Sequence, residues 1–204
     1  DYTLYLCTDS GLMSCNTVEE SVERAIQGGV SVVQLREKEA SSRELFELAK
    51  RVKRVTDKYY VPLIINDRLD ICLAVDAAGV HLGQTDLPCS EARRILGAEK
   101  IIGVSAATPE EAAKAQSDGA DYLGVGAVFA TSTKTNTRPV TAETIRAIRS
   151  AVDIPFVVIG GVNSENISGL HGLGINGAAV ISAIISQPDI TAAARKMRQA
   201  AERL

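Results

Sequence analysis

Asp118-Gly-Ala-Asp-Tyr-Leu-Gly-Val-Gly126 closes a helical pattern and opens a short apolar run. Its opening recurs in weaker form as Gln27-Gly-Gly-Val-Ser31, Asp76-Ala-Ala-Gly-Val80 and Gly174-Ile-Asn-Gly-Ala178. Glycine at such a junction ends a helix and allows a sharp turn into a strand. Working outward, short β-branched runs alternate with helical patterns along the whole chain. Strands are expected near Leu4 to Thr8, Val30 to Leu35, Leu63 to Asn66, Gly79 to Leu82, Ile101 to Ser105, Tyr122 to Val125, Phe156 to Ile159 and Ala178 to Ile181. They are mostly apolar without strict alternation, as parallel strands covered on both faces are. Helices are expected near Thr17 to Gln27, Ser42 to Tyr59, Arg68 to Val75, Ser90 to Leu96, Pro109 to Ser117, Ala142 to Ala151, Glu165 to Leu173 and Ile190 to Arg203. Ser41 or Ser42 with Glu44, and Thr108 before Pro109 with Glu110 and Glu111, are helix start signals. Eight such units predict an α/β protein, a single-domain (β/α)8 TIM barrel over residues 1–204. An open doubly wound sheet is the competing architecture, but Thr8-Asp-Ser-Gly-Leu-Met-Ser14 lacks the glycine-rich fingerprint expected after its first strand.

The chain of 204 residues has 22 basic and 25 acidic side chains, a net charge of −3. That balance argues against a dedicated nucleic-acid surface. No long uncharged apolar run suggests a membrane span, and the first residues do not resemble a signal peptide, so a cytoplasmic protein is expected. Cys7, Cys15, Cys72 and Cys89 lack metal-ligand spacing and are expected as reduced thiols. Monomer and homodimer both stay open.

In a barrel, residues at the C-terminal strand ends share one mouth. After strand 2, Gln34, Arg36 and Lys38 of Gln34-Leu-Arg-Glu-Lys38 fall on one side of an extended segment. After strand 3, Asn66-Asp67-Arg68 puts a carboxylate at the end of a buried run, where it must be paired, bind a metal or cap the next helix. After strand 4, Asp86 supplies a second carboxylate. With phosphate oxygens and water, the two make the oxygen-only shell that Mg2+ prefers. His81, inside strand 4, reads as a hydrogen-bonded core histidine rather than a catalytic one, and His171 as structural. Strand 5 ends on the hydroxyl of Ser105.

After strand 6, Thr131-Ser-Thr-Lys134 offers three hydroxyls and a cation, as a phosphate site or as a solvated loop. Gly160-Gly161 after strand 7 lets backbone N–H groups approach an anion, and Ile181-Ser182-Ala183 follows strand 8, opening the last helix. The mouth thus reads as two anion sites, one of them metal-assisted.

Val33-Gln-Leu-Arg-Glu-Lys38, Ile65-Asn-Asp-Arg68, Gly79-Val-His-Leu-Gly-Gln84, Asp86-Leu-Pro88, Gly103-Val-Ser105, Gly119 to Gly126, Thr131-Ser-Thr-Lys134, Ile159-Gly-Gly161 and Val180-Ile-Ser-Ala-Ile184 run in order over nearly the whole chain. In these segments the chain resembles the thiamine-phosphate synthase (thiamine-phosphate pyrophosphorylase) family. The resemblance implies a transferase that condenses an aminopyrimidine-methyl diphosphate with a thiazole-ethyl phosphate, or its carboxylate form, to thiamine phosphate and diphosphate. It implies that the Gln34–Lys38 segment, Leu35 and Glu37 included, with Asn66, Ser105 and Lys134 holds the pyrimidine diphosphate. Asp67 and Asp86 would bind Mg2+, and Thr131, Ser132, Thr133, Gly161, Ile181 and Ser182 would hold the thiazole phosphate. Lys134, Arg36, Lys38 and Ser105 would act in a dissociative reaction in which the leaving diphosphate is stabilised before the thiazole nitrogen attacks.

Relatives commonly carry histidine where this chain has Ala107. The related thiazole tautomerase, which needs a proton-transfer group but no diphosphate clamp, is the first alternative. A non-catalytic binder of thiamine precursors is the second.

Overall fold

The computed structural model describes residues 1–130 and 139–204. Eight parallel strands close on themselves in sequence order: β1 (Leu4–Cys7), β2 (Val32–Leu35), β3 (Leu63–Asn66), β4 (Gly79–Leu82), β5 (Ile101–Ala106), β6 (Tyr122–Gly126), β7 (Phe156–Ile159) and β8 (Gly177–Val180). β8 pairs with β1 through Leu4–Ala178 and Leu6–Val180, so no sheet edge is left open. The helices are α1 (Val18–Gln27), α2 (Ser42–Lys58), α3 (Leu69–Ala74), α4 (Cys89–Leu96), α5 (Pro109–Ser117), α6 (Ala142–Ala151), α7 (Ser182–Ile185) and α8 (Ile190–Ala201). The expected (β/α)8 barrel is therefore observed, and the open sheet is excluded. Among the described residues, no helix is long and apolar enough to cross a membrane.

Local sequence chemistry sets the helix starts. Ser41 and Glu44 form a reciprocal capping box at α2, Thr108 accepts from the Glu111 amide ahead of Pro109 at α5, and Thr17, Thr141 and Asp189 cap α1, α6 and α8. Each strand sends alternate side chains to opposite faces. Leu4, Leu6, Val33, Leu35, Ile65, Val80, Val104, Leu123 and Val158 pack outward against the helices in the main core.

The inward faces carry a smaller cluster, Tyr5, Cys7, Val32, Ile64, Tyr122, Val157 and Ala179. Space for the Tyr122 ring comes from Gly103, its register partner on β5, where an added Cβ would lie 2.1 Å from Tyr122 Cζ. The next strand over places His81 opposite Gly103, so Tyr122 reaches across β5 to meet it.

Two helical expectations are corrected. Between Glu165 and Leu173 only a single 3-10 turn forms, Ile167–Leu170. Asn163 and Asn166 capture backbone groups there: Asn163 Oδ1 accepts from the Glu165 and Asn166 amides, and Asn166 Nδ2 donates to the Gly161 carbonyl. Such local side-chain bonds compete with helix formation, and Gly172 and Gly174 then take left-handed conformations. The second correction is that Ser182 does not open the last helix. It opens the one-turn α7, and α8 begins separately after Pro188, which cannot continue a helix but can precede the Asp189 cap.

Candidate active site

The C-terminal ends of the strands surround a cavity of about 1150 Å³ that reaches down to the Tyr5 and Tyr122 hydroxyls. Gln34, Arg36, Lys38, Asn66, Asp67 and Asp86 line one side. Arg36 is anchored twice: its amide donates to Thr8 Oγ1 at 3.0 Å, and its guanidinium lies 3.6 Å from Asp9 Oδ2. The Lys38 ammonium is 4.0 Å from Asp67 Oδ2 and half exposed, so it is held loosely over the mouth.

Alternation separates the other two residues of this segment from the main cavity. Leu35 is buried between sheet and helices. The Glu37 carboxylate accepts from Thr8 Oγ1 at 3.2 Å and Ser10 Oγ at 2.6 Å, and lines a side pocket of about 190 Å³ with Lys38, Asn66 and Asp67. Both were expected against substrate; here Leu35 is a core residue and Glu37 braces the β1 loop. Arg68 turns away to Asp70 and Ser42.

Asp67 sits in a left-handed conformation with φ 61°, which aspartate tolerates better than most residues. Its amide donates to the His81 carbonyl at 2.9 Å, fixing the end of β3 to β4. Burial and the neighbouring Asp86 carboxylate push the Asp67 carboxyl above its ordinary range, while Lys38 and Asn66 pull it down. Asp86 Oδ2 accepts from the Gly83 amide at 2.7 Å, which turns that carboxylate back toward β4. Two acidic groups thus crowd one end of the mouth. Among the described residues, no group of three or more histidine, cysteine or acidic side chains is placed to hold a metal ion.

The floor is polar and continuous. Gln34 Nε2 donates to Tyr5 Oη at 2.9 Å, the Tyr5 and Tyr122 hydroxyls are 2.6 Å apart, Tyr122 Oη lies 3.0 Å from His81 Nδ1, and His81 Nε2 lies 2.9 Å from Ser105 Oγ. Gln34 and His81 are only 5% and 9% exposed, so each depends on these partners. Desolvation holds both tyrosine hydroxyls well above their usual range, and they stay protonated. Gln84 Nε2 donates to the Ser105 carbonyl at 2.6 Å, fixing the strand end that carries the hydroxyl.

Across the mouth, Gly160, Gly161, Ile181 and Ser182 line the cavity with Asn163 and Ser186. Gly161 has φ 66°, and a Cβ there would lie 2.4 Å from the Ala130 carbonyl oxygen, so only glycine lets the chain pass this close to the β6 loop. Ser186 Oγ is buried with no hydrogen-bond partner among the described residues. The Ala107 amide donates to Glu111 Oε2 at 2.7 Å, and both residues line the cavity. Thr131, Ser132, Thr133 and Lys134 lie outside the described residues. The structure therefore gathers Gln34, Arg36, Lys38, Asn66, Asp67, Asp86, Ser105, Gly161, Ile181 and Ser182 around one space.

Tyr5 and Tyr122 did not stand out in the sequence, because a tyrosine inside an apolar strand reads as core. Only the register, which aligns Tyr122, Gly103 and His81 across three strands, reveals their contact with the site.

Comparison with known proteins agrees with this fold. The model of a family described as thiamine monophosphate synthase matches residues 4–184. A thiamine-phosphate synthase of Ruminiclostridium cellulolyticum is 59% identical over 197 residues, covering 97% of this chain and 94% of the relative. One of Clostridium botulinum is 52% identical over 204 residues, covering 100% and 96%. The solved thiamine phosphate pyrophosphorylase of Pyrococcus furiosus superposes with a TM-score of 0.90 at 40% identity, covering 98% of this chain and 95% of that one. Sequence, barrel and site lead to one assignment: this chain is an enzyme that belongs to the thiamine-phosphate synthase family.

Proposed function

We propose that the enzyme joins an aminopyrimidine-methyl diphosphate to a thiazole-ethyl phosphate, releasing diphosphate, with Mg2+ held at Asp67 and Asp86. The observation that carries this reading is the division of one cavity into two polar sides, a cation-and-carboxylate side at β2 to β4 and a glycine-and-hydroxyl side at β7 and β8. The donor set suits the ion: burial and the crowding Asp86 carboxylate raise the Asp67 proton affinity, and a hard divalent cation would relieve that repulsion, with phosphate oxygens and water as its other ligands. When bound, Mg2+ would neutralise charge on the leaving diphosphate.

The protein's own residues do the rest. Arg36, its backbone tied to Thr8, presents a guanidinium held beside Asp9, and Lys38 adds a half-exposed charge above Asp67, so negative charge developing on the leaving oxygens meets two cations. Lys134 is assigned to the same task from its sequence position. Gln34 and Ser105, locked from below, orient the pyrimidine ring over the floor. Gly161, Ile181 and Ser182, with Thr131, Ser132 and Thr133 from the sequence, hold the thiazole phosphate so that its ring nitrogen faces the reacting carbon. No strong nucleophile or general base is required of the protein.

The test is product formation from the two substrates with and without Mg2+. Synthesis of thiamine phosphate with metal-dependent release of diphosphate is expected. Isomerisation of a thiazole carboxylate phosphate in its place, or binding without turnover, would refute the reading.

A further inference from the structure

We propose that Tyr5 and Tyr122 are positioning residues that fix the hydrogen of Ser105 toward the cavity through His81. The floor is a chain of four hydrogen bonds, Gln34 to Tyr5 to Tyr122 to His81 to Ser105, and its two senses differ in which hydrogen is left over, that of the half-buried Ser105 or that of the buried Tyr5. At its start, the Gln34 amide nitrogen is a donor, so Tyr5 Oη accepts. If Tyr122 also donated to Tyr5, the Tyr5 hydroxyl would receive two hydrogens and its own would have no acceptor along the chain, a poorer arrangement at the bottom of the cavity, where Tyr5 is only 1% exposed, than at the half-buried Ser105. Tyr5 therefore donates to Tyr122, and Tyr122 to His81 Nδ1.

Because Nδ1 accepts, the imidazole is neutral and carries its hydrogen on Nε2, which donates to Ser105 Oγ. The Ser105 hydroxyl, already serving as acceptor, has its hydrogen left for a ligand in the cavity. Burial keeps both tyrosine hydroxyls protonated, so each has one hydrogen to place. Reversal anywhere along the chain would let Ser105 donate to the histidine and present only lone pairs to the ligand.

The hydrogen-bond sense stands on geometry alone, whereas its value to the reaction rests on the function proposed above. The chain has two histidines, His81 and His171, so a long-range proton–nitrogen correlation spectrum of the 15N-labelled protein resolves each ring, and His171→Gln assigns them. Expected is His81 with a bare Nδ1 and a protonated Nε2; hydrogen on Nδ1, or on both nitrogens, overturns the proposal without any substrate being present.

In Tyr122→Phe the single tautomer should give way to a mixture. Tyr5→Phe, which removes the donor that sets Tyr122, should do so more weakly and serves where Tyr122→Phe does not fold. A single unchanged tautomer in the folded variants overturns the proposal. In turnover, Tyr122→Phe should lower kcat/KM roughly two- to tenfold when Ser105 is present, and by less than about twofold in a Ser105→Ala background. Equal losses in both backgrounds would mean that Tyr122 does not act through Ser105.

Discussion

Gly103→Ala tests how tightly the floor is built. The glycine's φ is outside the left-handed region, so space is the only obstacle to a side chain. The new Cβ would lie 2.1 Å from Tyr122 Cζ and 2.4 Å from its Oη. The ring must withdraw by roughly 1 Å or more to reach ordinary contact. Behind it the Tyr2 and Tyr5 rings stand at centroid distances of 4.9 and 5.8 Å, and Tyr122 is 0% exposed, so the strain spreads into the barrel.

Overpacking costs about 1–3 kcal/mol, and a buried hydroxyl pulled off its partners adds about 1–3 kcal/mol. The stiffer unfolded chain offsets about 0.4–1 kcal/mol. The net expectation is a loss of about 3 kcal/mol, or roughly 6–12 °C in Tm for a chain of this size. Thermal and urea unfolding followed by circular dichroism would measure it. Shrinking the ring in Gly103→Ala/Tyr122→Leu should recover at least about 1 kcal/mol relative to the sum of the single losses. A loss below about 1 kcal/mol in Gly103→Ala, or strictly additive losses, would refute the packing argument.

Asp67→Asn and Asp86→Asn should each lower turnover by about two orders of magnitude and blunt its response to Mg2+, measured by steady-state assay over a metal titration. Ser182→Ala should raise KM for the thiazole phosphate more than for the pyrimidine diphosphate, and equal shifts in the two constants would mean that the anion sites are not separate. The Asp67 carboxyl is raised above 3.8, so without metal the folded protein keeps a proton that the unfolded chain has released. Its contribution to stability is therefore largest at low pH and declines as pH climbs from about 3.8 through the folded value. Asp67→Asn should flatten that part of a metal-free urea stability profile.

The barrel was legible because each strand is a short apolar run bounded by strong punctuation. Thr108-Pro109 and Ser41 with Glu44 start their helices where capping chemistry says they should. Legibility failed where side chains compete with the backbone for hydrogen bonds. Residues 165–173 have helical periodicity, yet Asn163 and Asn166 draw off the amides that a first turn needs. Pro188 with Asp189 was a readable signal for splitting α7 from α8.

At the site, the charged residues were visible because charge at the end of an apolar run demands explanation. Alternation alone would have set Leu35 apart from Gln34 and Arg36. The tyrosines were hidden for a different reason: what they do depends on which residues lie opposite them two strands away, and strand register is a property of the closed barrel.

The buried aromatic floor also equips the protein with its own optical probe. There is no tryptophan, and of the five tyrosines three, Tyr2, Tyr5 and Tyr122, are grouped within the barrel, while Tyr59 and Tyr60 lie at the end of α2. Near-ultraviolet dichroism of rigidly packed rings is strong, whereas mobile surface rings give little. Tyr60 is exposed and Tyr59 is held at the surface by Glu23, so the three floor rings should supply a large share of the tyrosine band, and a ligand that settles on Gln34 and Ser105 should change it without any label being attached.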